Sequence, residues 1–444
     1  MEKTNIFTTL LILPLTFLWS CNVLDYDPEL NITDEQAFVN RASAEAALTG
    51  AYSRLQNNSY YGRDYVTFGY LSADNVEWSG SFNFYQQIDA NSLTADNSTV
   101  NSTWSAIYST INSANHIIAK VQSVDDPVFL QQEKDRIQGE AYFIRALAYF
   151  DLARAWGGVP LVLDFTRSPD DGTGIGRSTL EETYARVLSD LEEAQRLLPT
   201  EVNRNRATRH SAEALRARLH LYLGEWAEAE DYATRVIDNP AYELVQPFSE
   251  FIQNKNSTES VLELAYDNAN RNNHNGYFLP SSLGGRLEWK PTEILVNLLR
   301  DPNTGGNRKA LIENANGVTY GALYFRSGTG DDPAYILRVA ELYLIRAEAR
   351  AHQNNLEGAI EDLDAVRNRA GLGNTNASNR QELLLAIEQE RRLEFALEGH
   401  RWFDLVRTGR AGDILGLNDT NRWLLPIPES DLNADPDLVQ NPGY

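Results

Sequence analysis

The chain has 444 residues, 42% hydrophobic and 23% charged, which is enough apolar content for a large core and too much for wholesale disorder. Its formal net charge of -23 repels phosphate backbones and anionic surfaces, so nucleic-acid binding is excluded as a working reading and a strongly polyanionic ligand is disfavoured. One cysteine rules out a disulfide framework, and six histidines without HxxxH or HExxH spacing argue against a metal site; no cofactor is expected.

The chain starts with a short charged segment containing Lys3. An apolar run follows from Ile6 to Leu18, interrupted by Pro14, and then Trp19, Ser20 and Cys21. The run is too short for a membrane span and fits a secretory signal over residues 1–20. The order Leu18-Trp19-Ser20-Cys21 resembles a lipoprotein box, in which Cys21 is diacylated and becomes the mature N-terminus. Acyl chains contribute roughly 0.8 kcal/mol per buried methylene, so several of them anchor a soluble domain. Residues 21–33 are polar and contain a proline, as a tether leaving a membrane would. Thr33 and Gln36 form a capping pair ahead of a helix carrying Phe38, Ala42, Ala46, Leu48 and Tyr52.

From Tyr60 to Gln87 aromatics crowd among glycines, and the broken periodicity predicts loops and short irregular pieces. Tyr65, Phe68 and Tyr70 are expected in the core. Trp78, Phe82, Phe84 and Tyr85 lie in a Gly/Ser/Asn-rich context that predicts a surface loop. Rings exposed there could stack on sugars, because a pyranose has an apolar C–H face and hydroxyls that need polar partners. Trp104 to Val121 and Ile137 to Trp156 read as helices, the second stopped by Gly157-Gly158-Val159-Pro160. The 167–177 loop contains GTGIG, which is no nucleotide fingerprint because no strand–turn–helix context surrounds it. Leu180 to Leu198 is helical again.

An internal repeat follows. ALRARLHLYLGEWAEAEDYATRVI aligns with LIRAEARAHQNNLEGAIEDLDAVR, pairing Arg216 with Arg346, Ala217 with Ala347, Trp226 with Leu356, Ala229 with Ala359 and Val236 with Val366. Each copy is a helix–turn–helix of tetratricopeptide length, and such units stack because one alone cannot bury its face. With the helices at 137–156, at 180–198 and after 380, about four pairs are expected in a mainly α, tetratricopeptide-like scaffold. Between the copies, 242–335 is a second irregular region with a few short strands. It contains Tyr277, Phe278, Arg286 and Trp289, and Trp289 either packs on the helix PTEILVNLL or faces a ligand. Tyr320, Tyr324 and Arg326 are weaker candidates.

After the second copy, Asn354-Asn355 makes a turn and Gly371 ends a helix. Glu390, Glu394 and Glu398 then recur at i+4, a repulsive spacing unless arginines meet them. Arg391, Arg392, Arg401, Arg346 and Arg367 are the expected partners in a structural ion network, with no catalytic role. His400 is expected to be packed or capping.

RALAYFDLARAWGGVPLV, LDAVRNRAGL, ERRLEFALEGHRWFDLVRTG and the closing LLPIPESDLNADPDLVQNPGY resemble signatures of the SusD/RagB family, in order and over nearly the whole chain. The resemblance implies one SusD-like domain over residues 34–444, with irregular, loop-rich ligand-binding insertions near 57–103 and 242–335. It implies a surface-exposed, lipid-anchored protein of the outer membrane, facing outside. Such a protein binds nutrients, mostly glycans, without catalysis and serves as a lid on a SusC-like TonB-dependent transporter. ADNVEW resembles the family's D…W ligand stretch, which adds Asn75 to Trp78, and the later loops add Tyr277, Arg286 and Trp289. Alternatives are a peptide-uptake receptor of the same family, a surface glycoside hydrolase, and a scaffold for envelope assembly.

Overall fold

A computed structural model describes residues 38–167 and 174–444. The expected signal segment, Cys21, the tether and the Thr33 cap lie outside the described residues, as does the middle of the 167–177 loop. The first helix, α1 (Arg41–Leu55), is capped by Asn40, whose side chain accepts from Ser43 N while the Ser43 hydroxyl returns to the cap. Its buried stripe is Ala44, Leu48, Ala51 and Leu55, so Ala42 and Ala46 face solvent, against the expected pattern.

The crowded aromatic stretch is more ordered than expected. It holds α2 (Asp64–Leu71), β1 (Val76–Trp78) and α3 (Asn83–Asp89). Its glycines serve close packing as well as turns: a Cβ on Gly69 would lie 1.8 Å from the carbonyl oxygen of Gly399. Tyr65, Phe68 and Tyr70 are buried as expected.

Long helices follow: α4 (Ser98–Lys120), α5 (Gln131–Trp156), α6 (Leu180–Leu197), α7 (Arg209–Leu223) and α8 (Trp226–Ile237). Next come β2 (Ser260–Leu264), β3 (Trp289–Pro291), β4 (Ile312–Ala315), β5 (Val318–Gly321) and β6 (Ala334–Arg338). Among them sit three short helices, α9 (Ser249–Gln253), α10 (His274–Phe278) and α11 (Glu293–Arg300). The chain closes with α12 (Val339–His352), α13 (Leu356–Arg369), α14 (Arg380–Glu394) and α15 (Arg401–Arg407) ahead of two short terminal helices. The strands pair two by two, β1 with β3, β2 with β6 and β4 with β5, all antiparallel. No described helix is long and apolar enough to cross a membrane.

Among the described residues four packed helix pairs form the scaffold: α1 with α4, α5 with α6, α7 with α8, and α12 with α13. Neighbouring pairs touch through α4 and α5, α6 and α7, and α8 and α12. The two repeat copies occupy the third and fourth pairs, and Ala217, Ala229, Ala347 and Ala359 are all fully buried. Small residues there let the helix axes approach. The first pair comes from the N-terminal region and not from the helices after 380; α14 instead packs across α12 and α13.

The three-glutamate face is neutralised by arginines distant in sequence. Arg308 donates to Glu394 (2.7 Å) and Glu390, and Arg369 to Glu394 (2.6 Å) and Glu259 (2.9 Å). Arg338 meets Glu394 (3.0 Å), Glu398 (2.5 Å) and Glu259. Of the expected partners, Arg367 alone reaches the face, pairing with Glu390 at 3.2 Å. Arg391 turns to Asp404, Arg392 and Arg401 to Asp74, and Arg346 to Asp362. For Arg391 and Arg392 the reason is geometric, since helix neighbours at i+1 and i+2 point away from residue i. His400 is packed as expected, against Phe395 at 4.8 Å, and burial lowers its pKa to about 3.

Candidate functional site

Pairing of β1 with β3 joins the two aromatic stretches. Trp78 lies opposite Trp289, and Glu77 opposite Lys290, with an ion pair of 3.2 Å. The following loop wraps around the buried Glu288. Ser79 N and Gly80 N donate to its carbonyl (2.8 and 3.1 Å), and Ser81 N and Phe82 N donate to its carboxylate (2.9 and 3.2 Å). Gly80 is required here, because a Cβ would stand 2.0 Å from Glu288 Oε2. This anchoring sets Phe82 and Phe84 in a near-parallel stack, 5.0 Å between centroids and 16° between planes.

The second stretch supplies Tyr277 from α10. It stacks on Trp289 (4.9 Å, 22°) and lies 6.5 Å from Phe82. Tyr85 closes the cluster edge-on to Trp289 (4.8 Å) and Tyr277 (5.9 Å). Beneath, Arg63 and Asp64 fix both tyrosines. Arg63 Nη1 donates to Tyr277 Oη (2.6 Å), and Tyr85 Oη donates to Asp64 Oδ1 (2.8 Å), which also accepts from Arg63 Nε (2.7 Å). Burial pushes the Tyr85 hydroxyl far above its ordinary pKa, and the Asp64 charge adds to this. Burial alone would lower the Arg63 pKa, but the Asp64 carboxylate outweighs it and holds the guanidinium charged. Arg286 lies over Phe82 at 4.3 Å, 3.6 Å from the Glu288 carboxylate, with its side chain 52% exposed, so a cation anchored on one side borders the rings.

Of the residues expected from sequence, Trp78, Phe82, Phe84 and Tyr277 are half-buried and Arg286 is exposed, so these can meet a ligand. Tyr85 and Trp289 are fully buried and support the others from below. Asn75 is a correction: it is fully buried, accepts from Arg392 Nε (2.9 Å) and donates to Arg392 O (3.0 Å), leaving nothing for a ligand. Tyr320 and Tyr324 are buried, the latter stacked on His274 at 4.4 Å, and Arg326 is paired with Asp332. Arg63, Asp64 and Glu288 were missed. Arg63 and Glu288 take their roles from contacts across some two hundred residues, and Asp64 from Tyr85 on a separate helix, which no local pattern announces. No cluster of metal-ligating residues occurs among the described residues.

Comparison with known proteins agrees along the chain. Residues 24–223 match a SusD-like family model described as starch-binding and associating with the outer membrane, and residues 302–419 match the SusD family model. SusD-like protein P38 of Formosa agariphila is 29% identical over 100% of this chain and 99% of its own length. The starch-binding protein SusD of Bacteroides thetaiotaomicron is 25% identical over 75% of this chain and 76% of its own. A laminarin-binding SusD-like protein superposes with a TM-score of 0.79 at 27% identity, covering 91% of this chain and 100% of that one. A SusD superfamily structure from Bacteroides vulgatus ATCC 8482 reaches 0.81 at 22% identity, covering 91% and 99%, which speaks to fold alone. With the helical-pair scaffold, the signatures at both ends and relatives matched end to end, the chain belongs to the SusD/RagB family.

Proposed function

We propose that this protein is a non-catalytic receptor for a neutral glycan, held at the outer membrane by lipid on Cys21 and facing outside. It passes its ligand to a SusC-like TonB-dependent transporter. Residues 1–20 are the cleaved signal, 21–33 the tether, and 34–444 the receptor domain. The observation that carries the reading is the ring cluster itself. Phe82, Phe84 and Tyr277, drawn from two distant segments, sit half-buried together with Arg286 over Phe82, and Trp78 is half-buried on β1 just before that loop. Apolar ring area meets sugar C–H faces, and the guanidinium meets hydroxyls. The starch- and laminarin-binding relatives support a glucan, and the net charge of -23 disfavours a polyanion. Binding without turnover is supported by the neighbouring carboxylates. Asp64 and Glu288 are buried and spent on Arg63, Tyr85 and loop amides, whereas a glycosidase needs two carboxylates facing its substrate.

Calorimetric titration with laminarin, starch fragments and peptide pools tests the reading. A glucan is expected to bind, and Phe82→Ala or Tyr277→Ala should each remove about 0.5–1.5 kcal/mol, roughly 2- to 13-fold in Kd. Binding of peptides alone, or hydrolysis of the glucan, would overturn it.

A further inference from the structure

A cavity of about 490 Å³ opens between the C-terminal turns of α7 and α12 and the helices α14 and α15. That volume is typical of small-ligand sites. It shares no residue with the aromatic platform. One wall is apolar. Trp226 stacks on His352 at 3.8 Å and 3°, and Leu384 and Leu385 extend the surface. Trp226 stands where the other repeat copy has Leu356, so this ring is a departure from the repeat. Burial lowers the His352 pKa, which keeps the ring neutral at pH 7.

The opposite wall is charged and balanced. Arg391 donates to Asp404 (2.9 Å), Arg407 to Asp404 (2.9 Å) and to both oxygens of Glu348 (2.6 and 2.9 Å), and Arg410 to Glu388 (3.0 Å). Three arginines therefore face three carboxylates, and an ionic ligand group would have to break an existing pair. A hydroxyl need not. It can donate to a remaining carboxylate lone pair and accept from a guanidinium N–H at once. Arg391 is buried, and its Nη1 has no hydrogen-bond partner among the described residues.

We infer that this cavity is a second saccharide site, taking one or two units of a neutral sugar with the C–H face on Trp226 and the leucines and the hydroxyls on the arginine–carboxylate wall. The inference goes beyond the platform reading and stands apart from it.

The whole protein is titrated with glucose, maltose and laminaribiose, following heat and tryptophan fluorescence, alongside Phe82→Ala and two variants that fill the cavity mouth from exposed positions, Leu385→Trp and Thr408→Trp. Phe82→Ala should retain a saturable response to a disaccharide with Kd on the order of 1 mM, weakened at least ~10-fold when either mouth variant is added. The mouth variants should keep the wild-type melting temperature, and either one that folds suffices. No saturable response in Phe82→Ala, or a response unchanged by a folded mouth variant, overturns the inference. Tighter binding of glucuronate or glucosamine than of glucose overturns the neutral class. Loss of polysaccharide binding in every protein, with disaccharide binding kept in Phe82→Ala, would sink the platform reading and uphold this one.

Discussion

Replacing Glu394 with glutamine removes one charge from a sealed ion network. Glu394 is fully buried and accepts from Arg308 (2.7 Å), Arg369 (2.6 Å) and Arg338 (3.0 Å). Burial by itself would raise its pKa, but the three guanidinium groups hold the carboxyl well below the usual carboxylate range. In the native protein Arg308, Arg338, Arg367 and Arg369 face Glu259, Glu390, Glu394 and Glu398, so charge is balanced. Glutamine keeps the shape and one acceptor oxygen but leaves a surplus buried cation. Breaking a buried ion pair from one side costs about 3–5 kcal/mol. That is a large share of a native stability of about 5–15 kcal/mol. Urea unfolding at pH 7 measures the loss as a shift in midpoint at unchanged slope. Glu361→Gln, at an exposed position on α13, serves as the control and should stay within about 0.5 kcal/mol. A loss below about 1 kcal/mol for Glu394→Gln would refute the argument, because it would mean that water already reaches these arginines.

The same network predicts a pH effect of opposite sign at Glu398, whose carboxyl is pushed up from 4.5 to about 6 by burial, against Arg338 and with help from Glu394 and Glu259. The folded state then holds a proton that the unfolded state has lost, so this group's contribution to stability falls as pH rises from 4.5 to about 6. Glu398→Gln should remove a fall of about 1.3 kcal/mol across that window, read as urea midpoints at its two ends; equal falls in both proteins would contradict it. Gly80→Ala should lift the 79–82 loop off Glu288, whose Oε2 the new methyl would approach to 2.0 Å. Glucan affinity should drop by ~10-fold with little change in melting temperature, and calorimetry showing native affinity would count against loop anchoring. Gly69→Ala drives a methyl to 1.8 Å from the Gly399 carbonyl between two packed backbones, an overpacking cost of about 1–3 kcal/mol or more. A melting temperature equal to wild type would show that α2 and that turn are not held together.

The scaffold was largely legible from the sequence, because its signals are local. Spacings of three and four mark the buried stripes of α4 and α13, Gly157 and Gly371 mark helix ends, and the repeat shows α7–α8 and α12–α13 as copies of one unit. The family signatures belong to the same class of information, being contiguous and ordered. What the sequence could not decide was which side of a ring or charge faces what. Trp78, Tyr85 and Trp289 look alike as aromatics in irregular chain, yet the packing of α3 and Tyr277 on β3 buries Tyr85 and Trp289 and leaves Trp78 half-exposed. Asn75 sits three residues from Trp78 and is lost to the core because Arg392 meets it from α14. The glutamate face predicted its own need for arginines but not their identity, since Arg308, Arg338 and Arg369 reach it only after the chain has closed. Periodicity reports the turn of one helix, whereas partner choice among buried charges and rings depends on contacts between segments far apart in the chain. That is settled only by the tertiary packing.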